Sequence, residues 1–143
     1  MFIGEYTHNL DDKGRVAVPA KFREELRGGA VVTRGLDQCL TLYTKESWQQ
    51  MAEKLSALPT TDQNARAFAR LMLAGAMAVE LDRAGRIVIP QYLRKFANLS
   101  GSVVVAGLYN RIELWNQKDW QAYQAKAETG ASDIASQLTD LGL

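Results

Sequence analysis

The feature that most limits what this chain can fold into is an internal duplication, because self-similarity at a fixed period dictates a repeated supersecondary unit. Leu10-Asp11-Asp12-Lys13-Gly14-Arg15-Val16-Ala17-Val18-Pro19-Ala20-Lys21-Phe22-Arg23 lies over Leu81-Asp82-Arg83-Ala84-Gly85-Arg86-Ile87-Val88-Ile89-Pro90-Gln91-Tyr92-Leu93-Arg94. Leu, Asp, Gly, Arg, Pro and the last Arg are identical in register, and the Val and Ile positions are conservative. The match continues from Val31-Val32-Thr33-Arg34-Gly35-Leu36 onto Val103-Val104-Val105-Ala106-Gly107-Leu108. Leu40, Leu42, Tyr43 and Trp48 then fall over Ile112, Leu114, Trp115 and Trp120. A chain of 143 residues has room for one compact domain, or for two very small units that share a core. The organisation expected is a first repeat over 1–53, a connecting helical segment over 54–75, a second repeat over 76–123 and a C-terminal tail over 124–143.

Each unit reads the same way. A first strand ends near Leu10, and Met77, Val79 and Leu81 alternate ahead of the second copy. Asp-x-x-Gly is turn chemistry, since Asp caps its own backbone and Gly accepts positive φ. In the strand that follows, Val16 and Val18, or Ile87 and Ile89, point to one face, while Arg15 and Ala17, or Arg86 and Val88, point to the other. Pro19 and Pro90 suit the first position of a short helix, where no N–H is required. Phe22 with Leu26, and Leu93 with Ala97, mark the buried side of those helices, which end near Gly28-Gly29 and Ser100-Gly101. A hairpin is expected next, Val31–Thr33 with Leu40–Tyr43 and Val103–Val105 with Ile112–Trp115, with Gly35 and Gly107 at the bends. Thr44 and Asn116 are candidate N-caps of longer helices. Trp48, Met51, Leu55 and Leu58 form a stripe stopped by Pro59, and Asp62 opens a helix carrying Phe68, Leu71 and Met72. Trp120 and Tyr123 form the second stripe, and a tail from Ser132 places Ile134, Leu138 and Leu141 on one side of a weak terminal helix. Core packing is the first reading of these stripes, subunit contacts the second.

Several functional classes lack their signatures. The N-terminal stretch has no basic segment followed by an apolar one, so no secretory leader is expected. The longest apolar-rich run, Leu71 to Val79, is too short to span a bilayer. Cys39 and His8 are the only residues of their types, so no internal disulfide is possible and no nucleophile–base pair is evident. The alternating pattern around Cys39 predicts a packed thiol. No zinc-type cluster, phosphate-binding glycine loop or dinucleotide fingerprint occurs. No cofactor and no small-molecule substrate are implied, and a cytoplasmic protein is expected.

The residues with a chemical message are the basic ones at the two turns: Arg15 and Arg86 first, Lys13 and Arg83 second. Arginine serves both as a bidentate partner of guanine and as a phosphate clamp, and a two-stranded ribbon fits a major groove. A net charge of only +1 argues mildly against a nucleic-acid binder, so any basic surface must be local. The competing reading is that Asp11–Arg15 and Asp82–Arg86 are turn-stabilising ion pairs of the weak surface kind. Both roles coexist if the Asp orients the Arg. Arg23 and Arg94, in the short helices, read as structural or interface residues.

The motif Asp-x-x-Gly-Arg-[Val/Ile]-x-[Val/Ile]-Pro-x-x-[Phe/Leu]-Arg, present twice, resembles the AbrB-like (swapped-hairpin) DNA-binding superfamily over most of the chain, from Phe2 to about Tyr123. The resemblance implies an α+β fold: two tandem β-α-β-hairpin repeats interleaved into one pseudo-two-fold swapped-hairpin barrel, with additional helices. It implies a homo-oligomer, arranged as a closed ring, that binds double-stranded DNA at short direct repeats in the promoter of its own operon. It further implies a nucleoid-associated repressor tied to a division and cell-wall gene cluster, with Arg15, Arg86, Lys13 and Arg83 at the DNA. The turns differ, Asp12-Lys13 against Arg83-Ala84, so the two halves need not contact DNA identically. Three other readings are carried forward. A ring scaffold that binds only protein would tolerate loss of Arg15. An antitoxin would usually pair one such unit with a disordered tail. A self-processing decarboxylase-like barrel would cleave at a Gly-Ser bond such as Gly101-Ser102.

Overall fold

The computed structural model describes residues 1–142, so Leu143, the last residue of the expected tail, lies outside the described residues. One order of elements runs twice. It begins as β1 (Phe2–Asn9), β2 (Arg15–Ala17), α1 (Ala20–Arg23), the hairpin β3 (Ala30–Arg34) and β4 (Leu40–Thr44), and α2 (Lys45–Ser56). After α3 (Gln63–Ala69) and a π-helical turn (Arg70–Ala74), it returns as β5 (Met77–Val79), β6 (Arg86–Val88), α4 (Gln91–Phe96), β7 (Ser102–Tyr109), β8 (Ile112–Asn116) and α5 (Gln117–Thr129). A last helix, α6 (Ala131–Gln137), and a 3-10 turn (Thr139–Leu141) end the described chain.

The strands form an antiparallel six-stranded sheet in the order β1-β7-β8-β4-β3-β5 and a separate two-stranded ribbon, β2-β6. The pairing is exchanged between the copies. β1 pairs with β7 in the second hairpin, and β5 pairs with β3 in the first. The hairpins are joined through β4 and β8, where Thr41 stands opposite Glu113, and the ribbon is joined where Val16 stands opposite Ile87. Each of these opposed pairs is one position met by its own counterpart in the duplication, so both lie on the pseudo-two-fold axis. This is the swapped-hairpin α+β arrangement that the resemblance implied.

Alternation along the ribbon explains why neither repeat is closed by itself. Val16, Val18, Ile87 and Ile89 are all buried, in one core with Phe22, Leu26 and Leu93 from the short helices and Leu40, Leu42, Ile112 and Leu114 from the hairpins. Burying a side chain of this type contributes about 1.5–3 kcal/mol. The apolar faces of both copies meet in that single core, which couples them. Phe22 packs edge-on against Phe2 and Tyr6, at 5.2 and 5.5 Å between ring centres, and thereby anchors β1. The second cluster is Cys39, Val104 and Trp115 with Trp120 against them. Trp115 also packs on Tyr123 at 5.1 Å, so the aromatic stripe of α5 seats that helix on the sheet.

The helix caps follow the sequence. Thr44 Oγ1 accepts from the Ser47 N–H at 3.0 Å, Asn116 Oδ1 from Asp119 at 3.1 Å, and Asp62 Oδ1 from Ala65 at 2.9 Å. Two expectations need correction. Pro19 and Pro90 are cap residues with extended ψ, one position before the first helical residue. Their carbonyls accept the first helical bonds, from Phe22 at 2.9 Å and from Leu93 at 3.1 Å. Gly35 does lie at a bend, its N–H bonded to the Cys39 carbonyl at 2.7 Å. Gly107 does not: it sits inside β7, directly opposite Gly4, and the second hairpin turns later, around Tyr109 and Asn110. Its lack of a side chain serves close approach, since a Cβ there would stand 2.6 Å from the backbone of Phe2 and Ile3.

Candidate nucleic-acid interface

The two Asp-x-x-Gly-Arg turns enter the two strands of the ribbon. Within the first, the Asp11 carboxylate accepts from the Lys13 N–H at 3.0 Å and the Arg15 N–H at 2.8 Å through Oδ1, while Oδ2 accepts from Arg15 Nε at 2.7 Å. In the second, Asp82 Oδ1 accepts from Ala84 and Arg86, both at 2.9 Å, and Oδ2 from Arg86 Nε at 3.0 Å. The duplication is thus repeated atom for atom. Gly14 and Gly85 take φ of +80° and +76°, which the turn requires and side chains resist.

Each turn is tied to the other copy. Val18 N–H donates to the Gly85 carbonyl and Ile89 N–H to the Gly14 carbonyl, both at 2.8 Å. The guanidinium of Arg94 lies across Gly14, where a Cβ would come within 2.9 Å of Arg94 Cζ, and that of Arg23 lies across Gly85 in the same manner. Arg23 Nε also donates to the Val18 carbonyl at 2.8 Å. Arg23 and Arg94 therefore serve as shelves under the turn of the opposite repeat, inside one chain. Their identical register in both copies was the available signal, but which turn each would meet was not.

Arg15 and Arg86 emerge on one face. The inward residues Val16 and Ile87 are buried, so Arg15, Ala17, Arg86 and Val88 point outward. Arg15 pairs with Val88 and Ala17 with Arg86, which makes the two arginines diagonal neighbours, roughly 7–8 Å apart by the usual ladder geometry. Their side chains are 29% and 36% exposed. Both are held through Nε, and among the described residues no hydrogen bond engages a terminal η nitrogen of either. The Asp thus fixes the direction of the fork and leaves its bidentate edge to solvent, which is how a buttressed arginine meets a guanine or a phosphate. Lys13 and Arg83 lie exposed in the turns themselves. The turns are not equal in charge: Asp11, Asp12, Lys13 and Arg15 balance, whereas Asp82, Arg83 and Arg86 leave one positive charge. A cleft of about 400 Å³ beside the second turn brings Arg23 and Arg27 to the same rim as Arg83, opposed by Glu80 and Asp82.

The carboxylates respond to this geometry. The Arg15 N–H bond lowers the pKa of Asp11 below its ordinary value, aided by the guanidinium and the Lys13 N–H, against an opposing effect of desolvation. Asp82 is lowered first by the Arg86 N–H, then by the Ala84 N–H and the guanidinium. A carboxyl whose pKa is lower folded than unfolded binds fewer protons in the folded state, so stability rises with pH through that range. The contribution is complete above the usual carboxylate value, about pH 4, and is lost as pH falls through the lowered value. Urea unfolding followed from pH 6 to pH 3 is therefore expected to show a steeper acid loss in the wild type than in an Asp11→Asn, Asp82→Asn double variant, which cannot ionise at these turns. Identical slopes would mean that the carboxylates do not hold the turns as charged groups.

The remaining chemical residues lie elsewhere. Cys39 is fully buried and its sulfur lies 3.0 Å from the Leu36 carbonyl. Burial, with the charge of Glu113 nearby, pushes the thiol up to about 12, so it stays protonated and inert at neutral pH. Gly101-Ser102 opens β7, with the Gly101 carbonyl accepting from Leu10 at 2.7 Å. Among the described residues no group of three or more His, Cys, Asp or Glu side chains could hold a metal ion, and no helix is long and apolar enough to cross a membrane.

Among known protein families, the one described as "MraZ protein, putative antitoxin-like" matches this chain twice, over residues 1–71 and 72–141. The chain belongs to the MraZ family. The two matched segments correspond to the two copies of the motif, with one turn of the ribbon in each. A relative from Halothermothrix orenii, named "Transcriptional regulator MraZ", is 50% identical over 143 residues, covering 100% of both chains. This relative and the chain are therefore alike over both repeats and not over one motif in isolation.

Proposed function

We propose that this chain is a sequence-specific transcriptional regulator that binds double-stranded DNA through the outward face of the β2-β6 ribbon and its two turns. The observation that carries the reading is the pair of Asp-buttressed arginines on one ribbon, with their bidentate edges unengaged. Arg15 and Arg86 read base edges, while Lys13 and Arg83 neutralise phosphates and set the register. The name of the Halothermothrix relative supports a role in transcription. We assign the finer role by the same resemblance: a cytoplasmic, nucleoid-associated repressor of its own operon in the division and cell-wall gene cluster, acting at short direct repeats. The two repeat units, 1–53 and 76–123, each supply one turn to the site.

Assembly explains how so modestly charged a chain holds DNA. Linked weak sites that engage successive repeats gain affinity through effective concentration. Different apolar groups are exposed at the two edge strands of the main sheet. Met1, Ile3 and Tyr109 lie at the β1 edge; Leu71, Met77 and Tyr92 lie about β5, where Tyr92 Oη donates to the Gly75 carbonyl at 2.9 Å. Two unlike patches suit a head-to-tail contact, which closes into a ring when the rotation permits. We therefore propose a ring-shaped homo-oligomer with the ribbons facing a common DNA.

The test is a mobility-shift titration on duplex DNA from upstream of the chain's own coding sequence, with excess unrelated competitor, repeated at several salt concentrations. A retained shift whose affinity falls steeply with salt is the expected result. Equal binding to the competitor would remove sequence recognition, and no binding at low salt would leave the protein-only scaffold.

A further inference from the structure

The ribbon register puts one apolar side chain in the middle of the face assigned to DNA. Val88 stands directly opposite Arg15 and is 54% exposed. Its counterpart in the duplication, Ala17, stands opposite Arg86 and carries a single methyl. Val88 covers none of the core, because the inward positions of β6 and the residues flanking it, Ile87 and Ile89, already fill it. A β-branched side chain on a strand is also stiff about χ1, so its methyls are presented in one direction. Side chains directly opposed in an antiparallel pair have Cβ atoms roughly 4.5–5.5 Å apart, not far from the rise of about 3.4 Å between base pairs. The Arg15 fork and the Val88 methyls therefore fall on the same or adjacent base pairs when this face lies in a major groove. The apolar group that base pairs offer there is the C5-methyl of thymine.

We propose that Val88 reads the C5-methyl of a thymine beside the base pair engaged by Arg15, and that the Arg86 side, with Ala17, has no equivalent contact. The two pseudo-symmetric halves then read unequal sequences, and Val88 is a specificity-determining residue. The inference rests on the DNA reading of the ribbon and deepens it.

The experiment uses the full-length chain and the promoter duplex described above, with each thymine in turn replaced by uracil, which pairs identically and lacks only the methyl. Dissociation constants are measured for wild type, Val88→Ala and Arg15→Ala. At one thymine position, uracil is expected to weaken wild-type binding about fourfold, the factor that burial of one methyl group supplies, and to leave Val88→Ala unaffected. If wild type and Val88→Ala respond alike at every position while Arg15→Ala loses the duplex, the methyl contact is overturned and the ribbon reading stands. If Arg15→Ala binds as well as wild type, the ribbon reading falls and the inference falls with it.

Discussion

Replacing Arg15 and Arg86 together with alanine is expected to abolish recognition of the promoter duplex and to leave the fold intact. A bidentate arginine–guanine contact is worth about 1–3 kcal/mol, or roughly 5- to 150-fold in affinity, so each single variant loses that much and relaxes specificity at one base. In the proposed ring the subunits are linked, so the loss is compounded over every repeat engaged. The fold tolerates the change for a structural reason. Both side chains are partly exposed, and each makes one ion pair of the surface kind, which contributes little to stability. The aspartates still accept the backbone N–H groups that shape the turns. Arg15→Lys separates the two modes of contact. Lysine keeps the charge and lacks the planar fork, so it preserves a phosphate contact and loses base reading. Anisotropy titrations over a salt series, alongside circular dichroism, measure both. A purely phosphate role would show as uniform weakening on all sequences and a salt slope lower by about one. Wild-type affinity and slope in the double variant would remove this face from the site.

Gly107→Ala is expected to be strongly destabilising. The new Cβ would stand 2.6 Å from the Phe2 carbonyl carbon and from the Ile3 nitrogen. These are backbone atoms of a strand that pairs with β7 over its whole length, so no rotamer change relieves the overlap. β1 must move away, and it carries the buried Phe2 out of contact with Phe22. Overpacking of this kind costs about 1–3 kcal/mol, and the backbone partner puts this case at the upper end. Urea unfolding measures the loss as a lower midpoint. Hydrogen exchange should open first in β1 and its partner β7. Gly35→Ala is a useful comparison, since its Cβ would meet the side chains of Cys39 and Thr41 at 2.8 Å, in the first hairpin and away from β1. Equal stability of Gly107→Ala and wild type would mean that the approach of β1 to β7 is not tight.

Much of this protein is written in its local sequence. Asp11, Gly14, Asp82 and Gly85 define their turns because the Asp carboxylate and the glycine φ act within five residues. The alternation of Val16 and Val18, and of Ile87 and Ile89, fixes an inward and an outward face because strand periodicity is two. Thr44, Asp62 and Asn116 cap their helices because a cap acts on N–H groups three residues away. These same local rules turn Arg15 and Arg86 outward, each from its own strand, and the pairing of β2 with β6 brings them to one surface. The family resemblance supplied the exchange of strands, on which the residues alone were silent.

What the tertiary structure decided concerns partners. β1 faces two hairpins of nearly the same pattern, its own and that of the second repeat, and local sequence does not distinguish them. Closure of one shared core does, since each repeat by itself would leave Val16, Phe22 and Leu26, or Ile87, Ile89 and Leu93, facing water. The same exchange carries Arg23 to Gly85 and Arg94 to Gly14, and turns Gly107 from an apparent bend into the place where β1 passes close. It also sets Val88 against Arg15, a neighbour some seventy residues away in the chain. The sequence by itself determined which residues turn, cap, bury and carry charge, because those choices depend on near neighbours. Only the tertiary structure decided which copy completes which, because that depends on how two almost equivalent apolar surfaces exclude water together.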